Sequence, residues 1–256
     1  MSGARPRNFA LLASLTVAVV FVASFLVGFI LLPQTQQNAR GGWWQAMCRA
    51  AGFVQSGPLD TRIAPPALSS VVVPTALTQT GTPEQIGRGA TLSLRCTMCH
   101  GAAGLSAADS PNLAGQYADV VYKQLRDYQQ GARANVVMTT LASTLSEQNI
   151  VELSYFYAYL PRAGTHAALR DAPALVRVGD PMRNIAPCGS CHSDRSRKAG
   201  APWLNGEPSA YVEKQLQAFH SQARRNDVNA DMRNVAQHLK PEEISALANY
   251  YAGLAP

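Results

Sequence analysis

Charged residues are scarce in this chain of 256 residues and absent from one long stretch. Phe9–Leu32 is a run of 24 residues without a charged side chain, long enough to cross a bilayer as a helix. It is longer than the apolar core of about 7–15 residues in a cleavable signal peptide, and Gln37-Asn38-Ala39 poorly matches a cleavage site. We therefore expect residues 1–32 to be a retained, single-pass inner-membrane anchor. The arginines before it keep the N-terminus in the cytoplasm and leave the rest of the chain in the periplasm.

Strand-like alternation is also lacking in the C-terminal two thirds of the chain, which repeats one helical pattern instead. Met138–Leu160 aligns without a gap on Met232–Leu254. Apolar residues step by 3, 4 and 3 in both segments, at Ile150, Leu153, Tyr157 and Leu160 and at Ile244, Leu247, Tyr251 and Leu254. The pattern predicts an all-α protein with two tandem domains, residues 84–165 and 166–256. Ser146 is expected to cap the first of these helices and Pro241 to begin the second.

Long helices are excluded from residues 33–83 by six prolines. Their composition of Gln, Ser, Thr, Gly and Pro predicts a tether between the anchor and the repeats. Trp43, Trp44, Met47 and Cys48 would share one face of a short helix within it. We interpret that face as an aromatic segment at the membrane surface, with docking of a partner subunit as the alternative.

Cysteine is rare, and four of the five cysteines fall in two copies of one motif. Cys-x-x-Cys-His occurs at Cys96, Cys99 and His100 and again at Cys188, Cys191 and His192. Two thiols one turn apart can each add to a haem vinyl group, while the adjacent imidazole becomes the proximal iron ligand. A zinc site needs four ligands at matched spacing, and a thioredoxin-like pair needs no following histidine. The sequence therefore predicts two covalently bound haem c groups.

Methionine and histidine are also few, which narrows the choice of the sixth iron ligand. Met138 lies 38 residues after His100, and Met232 lies 40 residues after His192. Each precedes the matched C-terminal helix of its repeat, so both are predicted as distal ligands. Bis-histidine ligation is the alternative, but no histidine recurs outside the two motifs, since His166, His220 and His238 have no counterparts.

A proline follows each motif at a matched distance. Pro111 and Pro202 each stand about ten residues beyond the motif histidine and are each followed by x-Leu. A proline carbonyl can accept a hydrogen bond from the second ring nitrogen of a ligand histidine. We expect this role for both prolines, alongside that of turn formers.

These stretches resemble the cytochrome c4 family of dihaem class I cytochromes c, over roughly Glu84 to Leu254. The resemblance rests on Pro111–Gln116, on the Lys-Gln-Leu helix ending at Gly131-Ala132-Arg133, and on Arg224–Met232. It implies two class I cytochrome c domains that pass single electrons from a quinol-oxidising complex to a terminal oxidase. It also supports the four motif cysteines, the two histidines and the two methionines as haem-binding residues. Ser193 stands where a glycine is usual in the family.

The distribution of charge is compatible with a protein that docks to others, but it does not identify the partner. The net charge of +6 divides into +4 over residues 1–83, zero over the first repeat and +2 over the second. The basic residues are dispersed on an exported chain, so no nucleic acid partner is expected. The leading interpretation is a respiratory electron carrier that is not itself an enzyme. The alternatives are a fixed haem subunit of an oxidase or dehydrogenase and, less favoured because of the two methionines, a dihaem peroxidase.

Overall fold

The computed structural model describes residues 6–27, 67–162, 171–193 and 197–254. Within them the regular structure is helical, apart from one isolated antiparallel bridge between Asp180 and Ile185. The predicted all-α class is confirmed. The chain divides into two compact units, residues 1–62 and 63–256, and both repeats belong to the second unit. The predicted Trp43–Cys48 segment lies outside the described residues, as does His166.

The first unit contains helix α1, Pro6–Leu26. Its residues Phe9–Leu26 have a mean hydropathy of 2.5, and none of them is buried. A helix of this length and composition is able to cross a bilayer.

Each repeat is built from short helices joined by turns. The first repeat has α2 Pro83–Ser93, α3 Thr97–His100, α4 Ala118–Gln129, α5 Val136–Ser143 and α6 Glu147–Tyr159. The second repeat has α7 Ala174–Arg177, α8 Gly189–His192, α9 Ser209–His220, α10 Asp231–Ala236 and α11 Pro241–Ala252.

The matched helices α6 and α11 begin as predicted. The Ser146 hydroxyl accepts from the Asn149 N–H, and the Asn149 side chain accepts from the Ser146 N–H, which forms a capping box. Pro241 occupies the first turn of α11, where its missing N–H costs no hydrogen bond.

The predicted apolar faces of α6 and α11 form the cores of the two repeats. Ile150, Leu153 and Tyr157 are at most 4% exposed and belong to the first cluster. Their counterparts Ile244, Leu247 and Tyr251 are at most 5% exposed and belong to the second. Leu160 and Leu254 are partly buried against these clusters. The 3, 4, 3 spacing therefore identifies the core face in both repeats.

The C-terminal end of the predicted tether 33–83 is corrected by the structure, because residues from Ser69 onward pack on the first repeat. Leu77, in a 3₁₀ turn, is buried within the first core cluster. The Tyr155 hydroxyl donates to the carbonyl of Ala76 at 2.9 Å, and Ser69 Oγ lies 2.5 Å from Asp127 Oδ1. This segment belongs to the folded domain since it covers apolar surface that α4 and α6 would otherwise expose to water.

Candidate haem sites

Each Cys-x-x-Cys-His motif ends in a single helical turn, α3 or α8. In the second motif the backbone N–H of His192 donates to the Cys188 carbonyl at 3.0 Å. This winding holds the two thiols and the imidazole of a motif within one turn of chain. The four motif cysteines are free of disulfides, so all four sulfurs remain available for attachment to haem.

The imidazole of each motif histidine is held by a proline carbonyl. His100 Nδ1 lies 2.8 Å from the Pro111 oxygen, and His192 Nδ1 lies 2.8 Å from the Pro202 oxygen. A carbonyl can only accept, so Nδ1 carries the proton and Nε2 keeps its lone pair. Burial lowers the pKa of both histidines, against the opposing effect of these hydrogen bonds. A neutral imidazole with Nε2 free is the form that binds iron. The predicted histidine–proline contacts are thus present, while iron ligation itself stays a prediction.

The backbone conformation after each motif explains which residue type stands there. Gly101 has φ of +76°, and a Cβ atom there would collide with the carbonyl oxygen of Leu105, so glycine is required. Ser193 has φ of −105° and ψ of 159°, an extended conformation open to any residue. The serine that departs from the family pattern is therefore compatible with the chain path in the second repeat.

The two candidate methionines are both half-buried but begin their helices differently. Asn135 caps α5, and its Oδ1 accepts from the backbone N–H groups of Val137 and Met138. Before Met232, by contrast, Asn229 and Ala230 adopt left-handed conformations, which are unfavourable for residues with a Cβ. The turns that precede the two predicted distal ligands thus differ in conformation.

The two rival histidines that the structure describes have other hydrogen-bond partners. His220 and His238 are both exposed. His220 Nδ1 contacts the carbonyl of Ala236 at 2.9 Å, and His238 Nε2 lies 3.3 Å from the Gln237 amide. Met98 and Met182 lie too close in sequence to the motifs to reach the opposite haem face, and they are 93% and 95% exposed. Met138 and Met232 therefore remain the preferred candidates.

Each proline turn is also tied to the opposite repeat. The backbone N–H of Asn112, next to Pro111, donates to Glu207 Oε2 at 2.9 Å. The backbone N–H of Trp203, next to Pro202, donates to Gln116 Oε1 at 2.9 Å. Gln116 and Glu207 are 91 residues apart, the same offset as between the two prolines. The two contacts are therefore counterparts related by the internal repeat.

Two arginines, Arg133 and Arg224, meet between the repeats with uncharged partners. Both donate to the side-chain oxygens of Gln124 and Gln215, at 2.8 to 3.1 Å. Burial and, after it, the positive charge of Arg133 together lower the pKa of Arg224 to about 10. Two half-buried guanidinium groups that donate to neutral glutamine oxygens favour an anionic ligand.

A second cluster between the repeats is centred on Lys123. Its Nζ lies 2.5 Å from Asp127 Oδ2 and 2.6 Å from the carbonyl of Asn226 in the other repeat. The Asn226 amide also donates to Asp127 at 2.6 Å. All three residues are buried. The Asp127 carboxylate is therefore hydrogen-bonded to the lysine and the asparagine, and its negative charge also raises the pKa of both Arg133 and Arg224.

Two basic residues of the second repeat, Arg197 and Lys198, both form ion pairs. Arg197 Nη1 lies 2.7 Å from Asp119 of the first repeat, and its guanidinium stacks on the Tyr117 ring at 4.0 Å. Lys198 forms an ion pair with Asp231. These two residues therefore join parts of the protein and leave less free positive charge for a partner than their number implies.

The residues present fit haem. Each motif offers two thiols and a neutral imidazole, and the half-buried Arg133 and Arg224 are charged donors of the kind from which propionate carboxylates accept. Within the described residues, Arg225 Nε and the Tyr251 hydroxyl are buried without a hydrogen-bond partner. The Tyr251 hydroxyl lies beside the Cys188 sulfur, and Tyr157 is placed likewise beside Cys96. Both repeats thus combine thiols, an imidazole and a tyrosine beside a motif cysteine, and the second repeat also holds the two unsatisfied polar groups.

Sequence reasoning identified Tyr157 and Tyr251 as core residues but missed that they contact motif cysteines. It also missed Gln116 and Glu207. The common offset of 91 residues was the available signal for the latter pair, but it could not indicate that each residue bonds to the other repeat.

Comparison with known proteins agrees with this arrangement. The cytochrome c family model matches residues 86–156. Cytochrome c4 of Thiocapsa roseopersicina is 33% identical over 168 residues, which cover 62% of this chain and 87% of the relative. The thiosulfate dehydrogenase electron acceptor of Stutzerimonas stutzeri strain A1501 is 34% identical, with coverage of 63% and 80%. The crystal structure of reduced recombinant cytochrome c4 from Pseudomonas stutzeri superposes with a TM-score of 0.60 at 31% identity, covering 66% of this chain and 98% of that one.

These similarities extend over most of the length of the relatives and agree with the all-helical fold. They support covalent haem c and electron transfer rather than catalysis. The chain belongs to the cytochrome c4 family and is an electron carrier.

Proposed function

We propose that this chain is a membrane-anchored dihaem cytochrome that carries single electrons in a respiratory chain, from a quinol-oxidising complex to a terminal oxidase. The observation that carries the proposal is the doubled site. Two Cys-x-x-Cys-His turns, each with its histidine bonded to a matched proline carbonyl, lie in one compact unit. When bound, each haem supplies an iron that gains and loses one electron reversibly.

The residues divide into three roles. Cys96 and Cys99 hold one haem and Cys188 and Cys191 the other, through thioether bonds. His100 and His192 would bind the irons through Nε2, and Pro111 and Pro202 hold the rings by accepting from Nδ1. Met138 and Met232 complete the coordination. A methionine ligand favours reduced iron and raises the potential, which suits delivery to a high-potential acceptor.

Helix α1 is proposed to anchor the chain in the bacterial inner membrane, with the haem domain in the periplasm. Its support is an unburied apolar run of sufficient length. Anchoring would keep the carrier at a high effective concentration near membrane-bound partners. Carbonate extraction of membranes from expressing cells tests this: the full chain should stay with the membrane, and a chain starting at residue 64 should be released.

Haem content tests the central proposal. The purified wild-type chain should contain two haems that survive denaturing electrophoresis. Cys96→Ala and Cys188→Ala should each remove or weaken the attachment of one of them. A single haem in the wild-type protein would overturn the proposal.

Ligation is tested by the ferric Met–iron charge-transfer band. It should fall by about half in Met138→His and by about half in Met232→His, each with a lowered potential at one haem. An unchanged band in either variant would show that the methionine is not a ligand. An open coordination site in the wild-type chain would instead favour a dihaem peroxidase.

A second candidate function is suggested by the relative in Stutzerimonas stutzeri, whose name is thiosulfate dehydrogenase electron acceptor. On this alternative the chain would accept electrons from a dehydrogenase, as a free carrier or as a fixed subunit. Reduction of the purified oxidised chain by a thiosulfate dehydrogenase and by a quinol-oxidising complex, compared at equal concentrations, separates the two donors. Copurification with a catalytic subunit would identify a fixed complex.

A further inference from the structure

One amide group joins His100 to Glu207 of the opposite repeat. The Pro111 carbonyl accepts from His100 Nδ1 at 2.8 Å, and the N–H of the same peptide unit, on Asn112, donates to Glu207 Oε2 at 2.9 Å. Asn112 is further fixed because its side-chain amide donates to the Gly206 carbonyl at 2.8 Å. Glu207 is only 4% exposed. A buried carboxyl group thus lies two hydrogen bonds from the imidazole.

The second repeat has the same connection with a different end group. The Pro202 carbonyl accepts from His192 Nδ1 at 2.8 Å, and the Trp203 N–H donates to Gln116 Oε1 at 2.9 Å. The Gln116 amide also donates to the Trp203 carbonyl at 3.1 Å. The geometry at the two sites therefore matches, while the end group is ionisable for His100 and permanently neutral for His192.

Hydrogen bonds in a chain polarise one another. A carboxylate that accepts from a peptide N–H makes the carbonyl of that peptide a stronger acceptor. The stronger acceptor in turn makes the bonded imidazole more electron-donating toward a metal. A more basic ligand stabilises oxidised over reduced iron and lowers the potential. A glutamine in the same place supports the geometry without adding charge.

We propose that Glu207 is a positioning residue that sets the reduction potential of the iron bound by His100, acting from the other repeat through the Pro111–Asn112 amide. The neutral Gln116 leaves the iron bound by His192 without this control. The inference rests on the proposed dihaem function. Reduction of the first iron takes one electron from the donor and draws a fraction of a proton from solvent onto Glu207, while oxidation reverses both.

The surroundings of Glu207 place its titration near neutral pH. Burial raises the pKa of Glu207 to about 8, against the lowering effects of the Asn112 N–H and of the Arg133 guanidinium. Arg133 is the charged side chain, among those the structure describes, that acts on Glu207. Ionised Glu207 favours the oxidised iron, so the potential of the first haem should fall as pH rises from about 6 to 10 and then level off.

The test is a redox titration of the full-length holoprotein between pH 6 and pH 10, in wild-type, Glu207→Gln and Gln116→Glu forms. Each form is also combined with Met232→His, which marks the second haem by its spectrum. Glu207→Gln keeps an acceptor for the Asn112 N–H, so it preserves the geometry and removes only the charge.

At pH 10, Glu207→Gln should raise the potential of the first haem. The expected shift is about tenfold in its oxidation equilibrium, or 59 mV for a one-electron couple, and the pH dependence of that haem should be lost. Gln116→Glu should lower the potential of the second haem and introduce a pH dependence there. Glu207→Asp should restore part of the original profile.

An unchanged potential and pH profile in Glu207→Gln would overturn the inference, as would equal shifts at both haems, which indicate a general charge effect. If Glu207→Gln fails to accumulate with haem, the Gln116→Glu variant provides the test. An unchanged potential and pH profile at the second haem would then overturn the inference. Fewer than two haems in the wild-type protein would overturn the proposed function, and this inference with it.

Discussion

Arg133 and Arg224 share one pair of hydrogen-bond acceptors across the boundary between the repeats. Gln124 Oε1 accepts from both, at 2.8 and 3.1 Å, and Gln215 Oε1 accepts from both, at 2.9 and 2.8 Å. Each arginine therefore bonds to a glutamine of its own repeat and to one of the other. The two repeats are therefore joined by hydrogen bonds from charged guanidinium groups to neutral amide oxygens.

Loss of either arginine should destabilise the protein, and the two losses should not add. Arg133→Gln and Arg224→Gln each remove charge-assisted hydrogen bonds, at a cost of about 1.5–3 kcal/mol. The double variant should cost more than the sum, because the repulsion between the guanidinium groups can be relieved only once and both glutamine oxygens lose every arginine donor only in the double variant. Denaturant unfolding of the four holoproteins measures the coupling. Additive losses, within about 0.5 kcal/mol, would contradict the shared arrangement.

The buried Lys123–Asp127 pair should be far more sensitive to substitution than the exposed Lys198–Asp231 pair. Asp127 has no exposed side-chain surface, whereas the side chain of Asp231 is 44% exposed. Asp127→Asn leaves the Lys123 ammonium buried without a counter-charge, which costs about 3–5 kcal/mol. Asp231→Asn, the matched control, should cost no more than about 1 kcal/mol. Chemical denaturation distinguishes them, and equal losses would argue against burial as the cause.

The segment before α2 should contribute to stability through one side chain. Leu77 is 5% exposed and Val72 is 85% exposed. Leu77→Ala removes buried apolar volume and should destabilise the protein by about 2–5 kcal/mol, while Val72→Ala should stay within about 0.5 kcal/mol. Thermal unfolding of the two variants makes the comparison. If Leu77→Ala has no effect, residues 67–82 are not part of the folded domain.

Stability should decline in acid partly through Glu243. Hydrogen bonding to Arg183, at 2.7 and 2.9 Å, lowers the pKa of Glu243 to about 2 against the raising effect of burial. The folded-state pKa lies below the unfolded value near 4.5, so the contribution is present above pH 4.5 and is lost as pH falls toward 2. Unfolding free energies of Glu243→Gln and wild type should converge between pH 4.5 and pH 2. A constant difference over that range would contradict the assignment.

Local signals in the sequence predicted the helices and the immediate surroundings of the motif histidines. The spacing of Ile150, Leu153 and Tyr157 identifies a core face because helix periodicity is a local property. Pro111 was recognisable as a partner for His100 because the same spacing recurs at Pro202. Ligation by Met138 and Met232 stays a prediction, as does the number of haems.

Long-range contacts could not be read from local patterns. Glu207 reaches Asn112 across 95 residues, and Lys123 bonds to Asn226 across 103. Leu77 was assigned to a tether because the prolines around it exclude long helices. Prolines do not prevent an extended segment from packing on a neighbouring helix, and the burial of Leu77 depends on α4 and α6.

The crosswise bonds of Gln116 and Glu207 limit how this protein can vary between species or in an engineered chimera. Each repeat supplies the acceptor that completes the proline turn of the other, so neither half holds its histidine with its own residues alone. Replacing the second repeat with that of a relative would exchange the carboxyl group that acts on His100 while leaving the His100 motif untouched. A chimera that joins halves from two relatives is therefore expected to change the surroundings of both motif histidines.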